Sequence, residues 1–77
     1  MPIVEVAFRS FEDVRDFVFL ASAQPYDITI GSESYRVDAK SMMVMLSLDY
    51  SRPLQVRASC DQEEMGSFLE AIRQFCV

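Results

Sequence analysis

Asp38-Ala39-Lys40-Ser41-Met42-Met43-Val44-Met45-Leu46-Ser47-Leu48-Asp49 sets three methionines, a valine and two leucines within seven positions, directly behind a Lys-Ser pair. Serine is a favoured N-cap, so a short helix from Ser41 to Leu48 is predicted. On that helix Met45 and Leu48 lie three apart on one face and are assigned to the core. Met42, Met43, Val44 and Leu46 cannot all follow them inward on so short an element. Met42, Met43 and Leu46 are expected at the surface, where unbranched, polarizable methionine suits contact with a partner.

Working back from this stretch, Ser34 to Val37 and Tyr26 to Ile30 are short alternating runs joined by Gly31-Ser32-Glu33, a hairpin pattern. Gln24-Pro25 ends the element before them, an amphipathic helix running to about Ala23. Its apolar face takes Phe11, Val14, Val18 and Ala21, with Phe17 and Leu20, while Glu12, Asp13, Arg15 and Asp16 populate the other. Ser10 with a carboxylate three residues later, at Asp13, marks a capped start. Ile3 to Phe8 alternates and is predicted to be a first strand. On the other side, Tyr50-Ser51-Arg52-Pro53 is a turn, and Leu54 to Ala58 a fourth strand with Leu54, Val56 and Ala58 facing inward. Asp61 caps a last helix, on which Met65, Phe68, Leu69, Ile72 and Phe75/Cys76 recur at helical spacing. The order is βαββαβα. Elements of these lengths suit an α+β open-faced sandwich, a four-stranded antiparallel sheet with three helices on one face.

The totals agree with a small globular unit, expected to be one domain over residues 1–77. At this length a chain buries only about 60% of the surface its unfolded form exposes, so each apolar face is needed. A 51% hydrophobic composition with six phenylalanines, three tyrosines and only two glycines can supply that core. Twelve acidic against seven basic side chains leave a net charge of −5, which repels nucleic-acid phosphates and anionic lipid. Neither nucleic acid nor membrane is therefore expected as a partner. The first apolar run is interrupted by Glu5 and closed by Arg9, unlike a signal peptide, and no segment approaches the roughly 20 apolar residues of a membrane span. A cytoplasmic location is expected.

The chain contains no histidine, so no imidazole base, His-based triad or phosphohistidine is available. Cys60 and Cys76 alone cannot close a tetrahedral zinc site, and free thiols are expected in a cytosolic protein. Cys60, beside the start of the last helix, is a candidate for a lowered pKa, or else a small buried residue closing the fourth strand. Glu12, Asp13 and Asp16 share enough of a helix face to suggest a weak divalent-metal site, but acidic residues near a helix start are expected from the dipole alone. No metal and no cofactor are therefore assigned.

The order of elements and the segment Ala39-Lys40-Ser41-Met42-Met43-Val44-Met45-Leu46-Ser47-Leu48 together resemble the HPr family, the small phosphocarrier of the bacterial sugar phosphotransferase system. In that family an AKS(I/L)M…MSLG segment forms the second helix. Phe17-Val18, Ala21, Ile28-Thr29-Ile30, Val56 and Asp61-Gln62-Glu63-Glu64 also fall at family-like spacing. The resemblance implies that Ser41 matches a serine phosphorylated by a dedicated kinase in many Gram-positive bacteria. It also implies that the apolar positions after Ser41 meet protein partners.

The departure lies at the start of the first helix, where the family carries a glycine-rich loop and His-Ala-Arg-Pro. Counted back from Ser41, the carrier histidine falls on Ser10, and the arginine and proline fall on Glu12 and Asp13. The loop between Phe8 and Ser10 is also shortened. A carboxylate where an arginine would hold phosphate reverses the local electrostatics. Histidine phosphocarrier activity is expected to be absent. This logic is similar to that of catabolite-repression HPr paralogues, which lack the histidine, keep the serine and bind a transcriptional regulator.

Ser41 thus has two readings: a helix cap, or a phosphoserine placed against a helix N-terminus with Lys40 beside it. The sequence favours a regulatory interaction module acting through Lys40, Met42, Met43 and Leu46, toward a regulator, a transport-system component or a second copy. The alternatives are a structural homodimerising paralogue and a carrier that uses Ser10.

Overall fold

The computed structural model describes residues 3–77. Its elements follow the predicted order: β1 (Ile3–Val6), α1 (Phe11–Ser22), β2 (Ile28–Gly31), β3 (Arg36–Asp38), α2 (Met42–Met45), β4 (Leu54–Ala58) and α3 (Gly66–Ile72), the last continued by a 3₁₀ turn, Arg73–Phe75. The strands form one antiparallel sheet in the order β1-β4-β2-β3. The helices cover one face, as an open-faced α+β sandwich requires.

The register explains why the alternation could be read from sequence. Val56 of β4 pairs with Val4 on one side and Ile30 on the other, and Ile30 pairs with Val37. This row faces the helices, together with Val6, Leu54, Ile28 and Ala58. Successive strand side chains point to opposite faces, so Glu5, Gln55, Arg57, Thr29, Gly31, Arg36 and Asp38 lie on the other side. From α1 the core takes Val14, Phe17, Val18 and Ala21. Phe17 lies at its centre, with its ring centroid 5.3 Å from Phe8, 5.9 Å from Phe68 and 6.2 Å from Phe75.

Several boundaries differ from the sequence expectation, each for a local reason. β1 stops at Val6 instead of Phe8. The Ala7 N–H donates to the Phe75 carbonyl at 2.8 Å, and Phe8 turns into the aromatic cluster. With Phe8 filling that end of the core, Phe11 is 46% exposed instead of buried, and Leu20 is half-buried. β2 begins at Ile28, not Tyr26. β3 begins at Arg36, not Ser34, because the Ser32–Tyr35 loop is closed by its own bonds, Ser32 N–H to Tyr35 O at 2.9 Å and Tyr35 N–H to Ser32 Oγ at 3.2 Å. Gly31 enters this loop at φ +154°, where an added Cβ would strike the Tyr35 carbonyl.

The predicted eight-residue helix is a single turn, Met42–Met45. Beyond it the N–H groups of Ser47 and Leu48 reach back three residues instead of four, to Val44 and Met45. The Ser47 hydroxyl donates to the same Val44 carbonyl, competing with helix continuation. At the other end of the chain, Asp61 does not cap α3 as expected: its Oδ1 accepts the Glu64 N–H at 2.8 Å within the turns that precede the helix, and Met65 stands at the helix start without a side-chain cap. Turns then lead to Gly66, where α3 begins, and the helix gives out before Cys76, which bridges Val6 at the sheet edge.

Candidate functional site

Ser10, where the resemblance would put the carrier histidine, stands at the start of α1, and its side chain is engaged in the fold. Ser10 has an extended backbone and its Oγ accepts the Asp13 N–H at 3.4 Å, a working N-cap. In turn Asp13 Oδ2 accepts the N–H of Arg9 at 3.0 Å, one residue earlier than a standard capping box would place it. A carboxylate thus occupies the positive end of the helix, with exposed Glu12 beside it. An incoming phosphate would meet two like charges there, and there is no nucleophile stronger than a serine hydroxyl already used in capping. Among the described residues no group of three or more His, Cys, Asp or Glu side chains converges as a metal site would require.

Ser41 stands at the equivalent place on α2 and differs. Its backbone is extended, but its side chain makes no capping bond. The segment is held instead by backbone and neighbours: Lys40 N–H to Asp38 Oδ1 at 2.9 Å, Ser41 N–H to Asp38 O at 3.2 Å, and Met45 N–H to Ser41 O at 2.9 Å. Two sequence expectations need correction here. A one-turn helix sums few peptide dipoles, so little helix field is available to a charge on Ser41. Lys40 does not sit free beside the serine, because its Nζ donates to the Gln24 carbonyl at 2.8 Å and ties α2 to the end of α1.

The apolar surplus divides much as the short helix required. Met45 is buried and Leu48 packs partly against the core. Met43 is 83% exposed and Leu46 50% exposed, whereas Met42 is half-buried, not exposed. The reason is a concavity of about 340 Å³ between α1 and α2, lined by Arg15, Asp16, Val18, Phe19, Ser22 and Met42. Met42 forms one wall. Phe19, 80% exposed, forms the other. The sequence reading passed over Phe19. Its signal was available, since it is a phenylalanine off the buried face of α1, four residues beyond Arg15 and on the same outward stripe. Arg15 and Asp16 pair with each other at 3.1 Å on the rim, leaving the groove without unpaired charge.

Cys60 does not have the lowered pKa for which its position made it a candidate. Partial burial and the nearby carboxylates of Glu64 and Asp61 push its thiol above the ordinary value, and burial does the same to Cys76. Both are free. The Tyr26 hydroxyl is raised as well, chiefly by burial and then by Cys60 and Glu64. The cluster is proton-retaining, opposite to an activated thiol. No helix among the described residues is long and apolar enough to cross a membrane.

No curated protein matches the chain. A family model does: residues 14–77 match PTS-HPr, described as the PTS HPr component phosphorylation site. The match begins just after Ser10–Asp13 and takes in Ser41, the apolar groove and the whole sheet beyond β1. The chain belongs to the HPr family of the phosphotransferase system.

Proposed function

We propose that this protein is a non-catalytic, single-domain HPr-family module that binds a protein partner through Met42, Met43 and Leu46 and is switched by phosphorylation at Ser41. It has no histidine phosphocarrier activity. The partner is a regulator or a transport-system component, and the switch belongs to an HPr-type serine kinase in the bacterial cytoplasm. The observation that carries this reading is the contrast between the sealed start of α1 and the exposed Met43 and Leu46, with the Phe19–Met42 groove, near a Ser41 hydroxyl that makes no capping bond. Large exposed apolar side chains with an apolar groove support a docking surface. A phosphate on Ser41 would bring about two negative charges directly before Met42 and Met43 and oppose apolar docking.

Intact mass after incubation with an HPr-type serine kinase and ATP tests the switch. One added phosphate, absent from Ser41→Ala, is expected; no added mass in the wild type would refute it. Phosphoenolpyruvate with the general enzyme of the sugar phosphotransferase system should leave the protein unlabelled, and label on Ser10 would revive the carrier alternative. The exposed groove also favours one second reading, a homodimer closed through the same side chains. A mass that falls with dilution and becomes monomeric in Met43→Lys would select it.

A further inference from the structure

The helix-free face of the sheet carries a feature the HPr-family reading does not use. Among the described residues, the two buried side-chain polar atoms without a hydrogen-bond partner are Arg36 Nη1 and Arg57 Nε, and both arginines lie on this face. The Arg36 side chain runs from the β3 edge across β2, where its neighbour in register is Gly31, and its Nη2 donates to Gln55 Oε1 on β4 at 2.6 Å. Gln55 and Arg57 are two residues apart on β4, hence on the same face and about 7 Å apart along the strand. The fold therefore draws two guanidinium groups toward the middle of one face.

No carboxylate answers them. The ion pairs of the described residues are Arg15–Asp16 and Arg73–Glu70, both elsewhere. Glu5 pairs in register with Gln55 and Asp38 with Thr29, but neither reaches an arginine, and Asp38 is engaged by the Lys40 N–H. Two cationic side chains on one face, each with a donor shut from water and unbonded, are unfavourable unless something anionic answers them. Guanidinium presents its donors as a planar fork that matches oxyanions, and two cations balance a dianion better than a single carboxylate.

We propose that Arg36 and Arg57, with Gln55 between them, form a binding site for a phosphate-class dianion on the helix-free face of the sheet. The donors are Arg36 Nη1 and the guanidinium of Arg57, freed by a small rotation of the two side chains away from the strands. The site lies on the opposite side of the sheet from Ser41 and the apolar groove, so it stands or falls separately from the partner surface.

The test is a titration of ¹⁵N-labelled protein with inorganic phosphate, against sodium chloride at matched ionic strength. Saturable shifts are expected at Thr29, Gly31, Gln55 and Arg57 with phosphate and not with chloride. Removing one charged fork should weaken binding about tenfold in Arg36→Gln and in Arg57→Gln. Arg52→Gln, on the turn before β4, should leave it unchanged. Unaltered spectra elsewhere verify that each variant is folded. Absence of saturable shifts, equal shifts with chloride, or shifts that survive both Arg36→Gln and Arg57→Gln would overturn the site. A phosphoserine peptide binding more tightly than inorganic phosphate would identify the source as a phosphoprotein, and equal affinity would identify free phosphate.

Discussion

The starts of α1 and α2 make the instructive comparison in this molecule. Both follow a serine with extended backbone, Ser10 at φ −158° and Ser41 at φ −102°. Ser10 gives its oxygen to the Asp13 N–H, a carboxylate closes over Arg9, and twelve helical residues follow with four buried in the core. Ser41 makes no such bond, and the turn behind it buries only Met45. The hydroxyl of one serine is built into the fold, and that of the other makes no capping bond. The family resemblance would put phosphate at both positions; here the first has become structural and only the second keeps a free hydroxyl.

The largest effects should come from what each helix contributes to the core. Phe17→Ala removes the ring at the centre of the aromatic cluster and should cost about 3–5 kcal/mol, enough to unfold much of a chain this small. Met45→Ala removes the only buried side chain of α2 and should cost about 2–3 kcal/mol. Urea unfolding of the pair checks the ranking, and a larger loss for Met45 would mean that α2 contributes more to the core than its one turn suggests.

The sharper break is at the serines. Ser10→Ala loses a cap and should cost about 1 kcal/mol, whereas Ser41→Ala should stay within about 0.5 kcal/mol. Thermal melts of the two variants measure this directly. Equal losses would show that Ser41 caps in solution and would weaken its standing as a free acceptor.

The smallest effect concerns Cys60, whose thiol is raised by burial and by Glu64 and Asp61. Because the folded-state pKa is the higher one, folding favours the protonated thiol. That contribution holds below the unfolded pKa and fades as pH rises through the folded value. Iodoacetamide should modify Cys60 slowly at neutral pH, with the rate climbing above the ordinary thiol range of about 8.5. Rapid neutral-pH alkylation that disappears in Cys60→Ser would contradict the raised pKa.

Much of the fold was legible because its signals are local. The period-two alternation of Leu54 to Ala58 survives in the structure as one buried face, and the Ser10/Asp13 pair announces a cap that forms. Lengths were less legible. The eight-residue helix after Ser41 shrinks to one turn because the Ser47 hydroxyl takes part in the carbonyl bonding that would have extended it. Phe11 looked like core until Phe8 folded back to fill that end, a contact between residues whose distance apart depends on where β1 stops. Of the candidate site, Ser41, Met43 and Leu46 could be placed in advance, since a short helix cannot bury every apolar residue. Phe19 and Met42 facing one groove could not, because that depends on how α1 and α2 pack, segments joined through contacts such as Lys40 Nζ to the Gln24 carbonyl.

From its residues alone the chain determined the order of its elements, the face each one buries, and the loss of histidine chemistry, because periodicity and composition act over a few positions and need no partner. The tertiary structure decided which serine hydroxyl is free, which apolar side chains form a groove, and that Arg36 reaches Gln55 across β2 on the face that also carries Arg57. Each of these depends on register and packing between segments far apart in sequence, and sequence spacing carries no record of that geometry.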